Sequence, residues 1–317
     1  MSAVPGATRV SAVVVAMADS PALAAALASL VAQAHRPLEL VLFGNGAPLP
    51  APEWVREHGV TLVTGSSERN LGVAGGRNAA SALATGDALL FLDDDAVLRP
   101  RALESAVGAL SSGPDVGAVA FRIVAPGAGA PALWYYPYDR GAWSTRAFQA
   151  PWVIGCGNLI WRADYERLGG LWDGYFREVE EIDISWRLID AGRVIRYEPG
   201  AVVEHPERTK RHLRHSVASN LLMWWRLLPP GLAARRTLIT VPLWTVRALR
   251  HGELADLRGG LADARAGLPR AWGERAPLRP ATVRYLRRVH APQSAGKRLQ
   301  WSLRPLSPPE PLAGQPV

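Results

Sequence analysis

Cysteine occurs once in the 317 residues, at Cys156, and lysine only twice, at Lys210 and Lys297. One cysteine excludes an intrachain disulfide framework and any metal site built from several thiolates. No apolar run reaches the roughly 18 to 20 residues that span a bilayer. Among the longest is Leu238 to Val246, and it is broken by Pro242. Met1 to Arg9 lacks a basic region followed by an apolar one, so no secretory signal is read there. These absences point to a reducing, cytoplasmic location. With so little lysine, nearly all positive charge is arginine, which the codon bias of a GC-rich genome explains without a functional reason.

The residues that are present describe a globular chain: 48% hydrophobic and 20% charged. Its formal net charge of +8 is unevenly distributed. Through Glu204 there are 16 basic and 22 acidic residues, and from His205 onward 20 basic and 6 acidic. The two parts are expected to do different work.

Val10 to Ala16 is a β-branched apolar run that predicts a buried strand. Asp19-Ser20-Pro21 then supplies a cap and an N1 proline for a helix ending near His35. Further strands are predicted at Leu38 to Phe43, Val60 to Thr64, Ala88 to Leu92 and Val116 to Val124, with helices at Gly75 to Leu83 and Arg101 to Leu110. This alternation predicts an α/β layer with a largely parallel sheet. A loop at Pro126 to Pro131 precedes aromatic-rich strands and a helix around Ile182 to Ala191. Beyond His205 the periodicity is helical, with Val217 to Leu228 followed by two or three amphipathic segments. The proline-rich tail from Pro305 reads as disordered.

Four groups of residues can carry chemistry. Asp93, Asp94 and Asp95 follow a wholly apolar strand, and ligands of open α/β sheets bind beyond the carboxyl ends of strands. Adjacent carboxylates repel, and a hard divalent cation such as Mg²⁺ or Mn²⁺ relieves that repulsion while binding phosphate oxygens. A solvated acidic turn is the plainer alternative. Asn70, Gly72, Gly75, Gly76 and Arg77 form a glycine-opened helix start where backbone N–H groups can approach an anion, with Arg77 as a phosphate contact. Helical spacing puts Glu180, Asp183 and Arg187 on one face with Glu181 turned about one residue away. These acids suit either the helix dipole or a general base with supporting carboxylates. His205 follows a strand and is a candidate third metal ligand.

Taken together and in order, these segments resemble a family 2 glycosyltransferase, and most closely its rhamnosyl- and galactofuranosyl-transferase-like branch. The resemblance runs from about Val10 to Pro230. Arg69-Asn70-Leu71-Gly72 with Gly75-Gly76-Arg77-Asn78 resembles the donor loop, and Phe91-Leu92-Asp93-Asp94-Asp95 the metal-binding Asp-x-Asp. Gly155-Cys156-Gly157-Asn158 resembles the strand before the acceptor site. Gly169-Gly170-Leu171-Trp172-Asp173 resembles the acceptor loop, and Glu180-Glu181-Ile182-Asp183 the catalytic helix.

The resemblance implies a GT-A fold, a Rossmann-like mixed sheet with a C-terminal helical extension. It implies a catalytic domain over 1–204, with a donor part to about 124 and an acceptor part from 125. A basic helical region follows over 205–304 and a tail over 305–317. It also implies inverting transfer from a UDP- or dTDP-sugar to an acceptor hydroxyl of a glycan, glycolipid or natural product. Asn45, Asn70, Gly76, Arg77, Asp93 and Asp94 would bind the donor, and Asp93, Asp95 and His205 a Mn²⁺ or Mg²⁺ ion. Cys156, Gly157, Trp172 and Asp173 would meet the acceptor, and Glu181 would be the base, with Glu180 and Asp183 as alternatives. Asn45 and Glu181 stand where many members carry aspartate.

A nucleotidyltransferase would share the layer and the metal site, but no glycine-rich signature with a phosphate-binding lysine occurs near the N-terminus. Nucleic-acid binding would account for the basic half, yet no lysine cluster or nucleic-acid motif is present, and none is expected as a partner. Trp224, Trp225, Leu227, Leu228, Trp244, Val246 and Leu249 alternate with Arg226, Arg235, Arg236, Arg247 and Arg250. They suit either peripheral contact with an anionic membrane or packing on the catalytic domain. Self-association into a homo-oligomer completes the expected partners.

Overall fold

The computed structural model describes residues 8–36, 38–127, 136, 140–206 and 213–290. The expectations for the tail, and for the loop beyond 127, lie outside these residues.

The first element, β1 (Val10–Ala16), is buried along its length and pairs in parallel with β2 (Leu38–Asn45) and β4 (Ala88–Asp93). Helix α1 (Pro21–Val31) starts as its sequence dictates: Ser20 accepts from the Leu23 N–H at 3.0 Å, with proline at the first helical position. It ends four residues before the expected His35. There the Arg36 guanidinium donates to the carbonyls of Val31 at 3.1 Å and His35 at 2.8 Å, satisfying groups that a longer helix would have bonded internally. A 3₁₀ turn at Glu53–His58 leads to β3 (Thr61–Ser67), which pairs with β2. Helix α2 (Gly72–Ser81) begins three residues earlier than expected, and β5 (Val97–Leu98), α3 (Ala102–Leu110) and β6 (Val116–Val124) follow.

The short pieces α4 (Arg140–Trp143) and β7 (Phe148–Gln149) precede β8 (Gly157–Trp161), α5 (Arg162–Arg167), α6 (Glu180–Asp190) and β9 (Val194–Glu204). The sheet runs β3-β2-β1-β4-β8-β6-β9-β5, with β7 on β9. It is mixed. Its first four strands are parallel, but β8 inserts antiparallel between β4 and β6, so β6 is not the parallel neighbour of β4. That insertion places the carboxyl end of β4 opposite Gly157 at the start of β8. A side chain at Gly157 would meet Val203 of β9 at 2.9 Å.

Helices α7 (Leu213–Leu227), α8 (Pro230–His251), α9 (Leu254–Gly273) and α10 (Pro280–His290) form the C-terminal part. Proline does not break α8, which runs continuously through Pro242. Two apolar cores result. One fills the sheet and its helices, and the other lies among α7 to α10. The second also takes Trp172, Tyr175, Val179 and Trp186 from the sheet-bearing part, so the helices are packed on it. Trp224, Arg226 and Leu227 of α7, and Leu228 just after it, are all buried, which removes them from any lipid-facing surface. Among the described residues no helix is long and apolar enough to cross a membrane.

Candidate active site

The site lies where β4, β9 and α2 end or begin together. β4 delivers Asp93 at its carboxyl end, and the turn closed by Ala96 N–H to Asp93 O (3.1 Å) carries Asp94 and Asp95. β9 delivers His205, whose N–H extends the pairing with β6 by donating to Val124 O at 3.0 Å. His205 Nε2 lies 3.2 Å from Asp95 Oδ1 and 3.6 Å from Asp93 Oδ2. One ligand atom from each of these three residues lies within 4.8 Å of the others. Two carboxylates and an imidazole, half-buried and converging, match the donor set of a divalent cation such as Mn²⁺. Burial disfavours a charged His205, but Asp93 and Asp95 outweigh it and push its pKa up to about 9.

Behind this group sits Arg77, buried on α2. Its guanidinium donates to Asp93 Oδ1 at 2.7 Å and to Gly155 O at 2.8 Å, and lies 3.7 Å from Glu180 Oε1. Burial alone would lower its pKa, but Asp93, Glu180 and Glu181 together raise it. Its partners turn Arg77 inward, whereas a phosphate contact needs it turned outward. It connects the aspartate group to the N-terminus of α6.

Three acids open that helix in very different settings. Asp183 is 0% exposed and accepts from Tyr175 Oη at 2.9 Å, Arg187 Nε at 2.5 Å and Arg226 Nη1 at 2.5 Å. Both its oxygens are committed, so it fixes α6 to α7 and offers nothing to an acceptor. Glu180 is buried, and desolvation raises its pKa while Arg77 pulls it back. Glu181 is pushed well above the ordinary carboxyl range, first by burial and then by the charge of Glu180. It borders a small cavity with Phe91, Tyr165, Leu171, Ile184 and Leu188, which accounts for the desolvation. Of these two adjacent carboxyls, Glu180 lies 3.7 Å from the Arg77 guanidinium, and Glu181 is the harder to ionise.

The donor-loop candidates are held by a small amide network. Asn45 is buried at the end of β2, accepts from Leu71 N–H at 2.8 Å and donates to Asn70 Oδ1 (3.2 Å) and Gly72 O (3.0 Å). Its amide therefore shapes the loop. Gly76 packs against it, and a Cβ there would sit 2.9 Å from Asn45 Nδ2. Gly72 has φ of +73° and would bring a Cβ to 2.3 Å from Phe176 O, so only glycine fits. Val73 N–H donates to that same carbonyl at 2.8 Å, joining the donor loop to the 169–176 loop.

Of the acceptor candidates, Asp173 is exposed and pairs with Arg270 at 2.5 Å. Trp172 is buried, donates its indole N–H to Glu274 at 2.6 Å, and lies beneath the guanidinium groups of Arg226 and Arg270 at 5.3 and 5.5 Å. Cys156 is buried beside the site, and desolvation holds its thiol protonated. Arg226, in sequence part of the arginine and aromatic stripe, and Tyr175 are the partners of Asp183, a role nothing local reveals, and the backbone of Glu178 and Val179 is likewise illegible in the sequence. These two have φ of 69° and 63°, and this left-handed step just before α6 is a strained conformation for a β-branched residue.

Residues 11–169 match the model of the family described as Glycosyl transferase family 2. The chain is 30% identical over 207 residues to the pre-mycofactocin glycosyltransferases of two Mycobacterium tuberculosis strains, CDC 1551 / Oshkosh and H37Rv. That match takes in 63% of this chain and 43% of each relative, so the chain spans less than half the length of the curated relatives it matches. Among solved structures it is similar to the mannosyltransferase PcManGT from Pyrobaculum calidifontis in complex with GDP-Man and Mn²⁺. The TM-score there is 0.55 at 19% identity, over 94% of this chain and 84% of that one. It is also similar to GalNAc-T7 with UDP, GalNAc and Mn²⁺, with a TM-score of 0.54 at 17% identity, over 64% of this chain and 44% of that one. At such identities these two likenesses concern the fold.

Proposed function

The chain belongs to glycosyl transferase family 2 and has a GT-A fold, and from that premise we propose that it transfers a sugar, with inversion, from a UDP- or dTDP-sugar to an acceptor hydroxyl. The acceptor class is a glycan, a glycolipid or a natural product. The observation that carries the reading is the line of contacts from Asp95 and His205 through Asp93 and Arg77 to Glu180. It joins a cation-binding donor set to a carboxyl pair suited to moving a proton.

Asp93, Asp95 and His205 would hold the divalent cation. Bound there, Mn²⁺ or Mg²⁺ supplies positive charge to the diphosphate leaving group. Asn45 keeps the 70–72 loop in shape for the donor, and Asn70, Gly76 and Asp94 would contact the donor. Arg77 holds Asp93 in place and keeps positive charge next to Glu180. In its ionised form, Glu181 takes the acceptor proton as the hydroxyl oxygen attacks the anomeric carbon from the face opposite the diphosphate. Its raised pKa suits it to keep that proton, with Glu180 beside Arg77 as its neighbour. Trp172 and Asp173 shape the acceptor side through their ties to α9 and its C-terminal cap.

The test combines binding and turnover. A thermal-shift panel of nucleoside diphosphates and nucleotide sugars with Mn²⁺ should show stabilisation by one nucleotide class. With that donor, Glu181→Gln should reduce transfer by about a hundredfold or more while the donor-induced shift persists. Near-normal turnover in the variant would remove Glu181 from the mechanism. Retention of anomeric configuration in the product would overturn single displacement.

A further inference from the structure

Helix α8 has 22 residues, and one side of it packs on the second core through buried Ala233 and Ala248 and partly buried Val241 and Trp244. Its opposite side is not the polar surface expected of a helix facing water. Leu238 is 75% exposed and Leu249 62% exposed, with Ile239, Leu243 and Val246 exposed between them. The exposed Pro242 lies in the same stripe. At 3.6 residues per turn these positions share one face over about three turns.

The charges on this helix are of one sign. Arg235, Arg236, Arg247 and Arg250 lie within it, and it contains no aspartate or glutamate. Arg235 stands exposed about one turn before the apolar stripe, and Arg250 stands exposed at its end. Arg247 pairs with Glu253 just past the helix at 3.4 Å. An occupant of this face must therefore combine an apolar interior with negative charge at its border. A second copy meeting α8 with its own α8 would bring arginines to arginines with no acid on either helix to answer them. A protein core would not need the bordering cations. An anionic bilayer surface supplies both components, and a helix with this pattern lies in the plane of the headgroups.

We propose that the outward face of α8 docks the protein on an anionic lipid surface, with the Leu238 to Leu249 stripe entering the acyl boundary and Arg235 and Arg250 on lipid phosphates. This surface lies apart from the sugar-transfer site, and the proposal needs neither donor nor metal, so its failure leaves the reading of the site unaffected.

Vesicle co-sedimentation of the full chain tests it, without nucleotide or metal. The chain should pellet with mixed phosphatidylglycerol–phosphatidylcholine vesicles, stay in solution with pure phosphatidylcholine, and be released as salt is raised. Leu238→Glu combined with Leu249→Glu should abolish pelleting with the melting temperature preserved, because both side chains already face solvent. Arg235→Gln with Arg250→Gln should weaken binding by about tenfold or more. Three results would overturn the proposal: no pelleting with anionic vesicles at low salt, undiminished pelleting of the glutamate variant, or a lipid-free dimer that the glutamate variant dissociates.

Discussion

At Glu181 a half-buried carboxyl is kept in a setting that resists its ionisation, first by desolvation and then by the neighbouring Glu180. That has a stability consequence with a definite sign. In the unfolded chain a glutamate loses its proton near 4.5, whereas in the folded chain Glu181 keeps it to higher pH. Below 4.5 both states are protonated and Glu181 costs the fold nothing. Above it, the folded state is penalised increasingly until Glu181 ionises there too. Glu181→Gln removes the ionisable group at nearly constant shape. Its melting temperature should exceed that of the wild type at pH 7 to 8 and converge with it near pH 4. An equal difference at both pH values would show that Glu181 is not held against ionisation. The substitution expected to reduce transfer is thus also expected to stabilise, as befits a group positioned for proton transfer and not for the fold.

At the scale of elements, α6 is placed by a backbone step that sequence propensity disfavours. Val179 adopts φ of 63° while its side chain is buried in the second core. Alanine there keeps the left-handed strain and loses the apolar contact. Glycine loses the contact but releases the strain, which is worth about 1 to 2 kcal/mol. Val179→Gly should therefore be more stable than Val179→Ala by about 1 kcal/mol in denaturant unfolding, reversing the usual order of those residues. A glycine variant less stable than the alanine variant would mean that this step is not strained. Such devices set what could be read from the chain beforehand. β1 and β6 begin and end where their apolar runs do, because uninterrupted β-branched sequence has little alternative use. The end of α1 and the start of α2 differ from expectation because Arg36 and Asn45, distant from the regular pattern, satisfy the backbone groups there. Asp93, Asp95 and His205 could be proposed as a set because each closes a strand-like run. Nothing local showed that Arg77 faces inward, or which of the many later arginines would meet Asp183.

For the whole molecule, the change in charge near His205 falls between two parts that share a core. Asp183, on the helix that opens with Glu180 and Glu181, is neutralised by Arg226 of α7 as well as by Arg187 of its own helix. Trp172, Tyr175, Val179 and Trp186 belong to the core completed by α7 to α10. A fragment ending at residue 206 would uncover those four apolar side chains and leave Asp183 without one of its two guanidinium partners. Removing one partner of a buried ion pair costs about 3 to 5 kcal/mol, comparable to the whole stability of many domains. The fragment should therefore unfold without a sharp cooperative transition and bind a hydrophobic dye. Its amides over 178–190 should exchange much faster than in the full chain, while those of β1 and β4 keep more of their protection, since the sheet core draws little from the helices. Cooperative unfolding at the full-chain melting temperature, with α6 still protected, would show that the catalytic part holds its carboxyl pair unaided. The expected result would assign the basic helices two tasks on opposite sides, α7 fixing the site from within and α8 offering its outward face to an anionic surface.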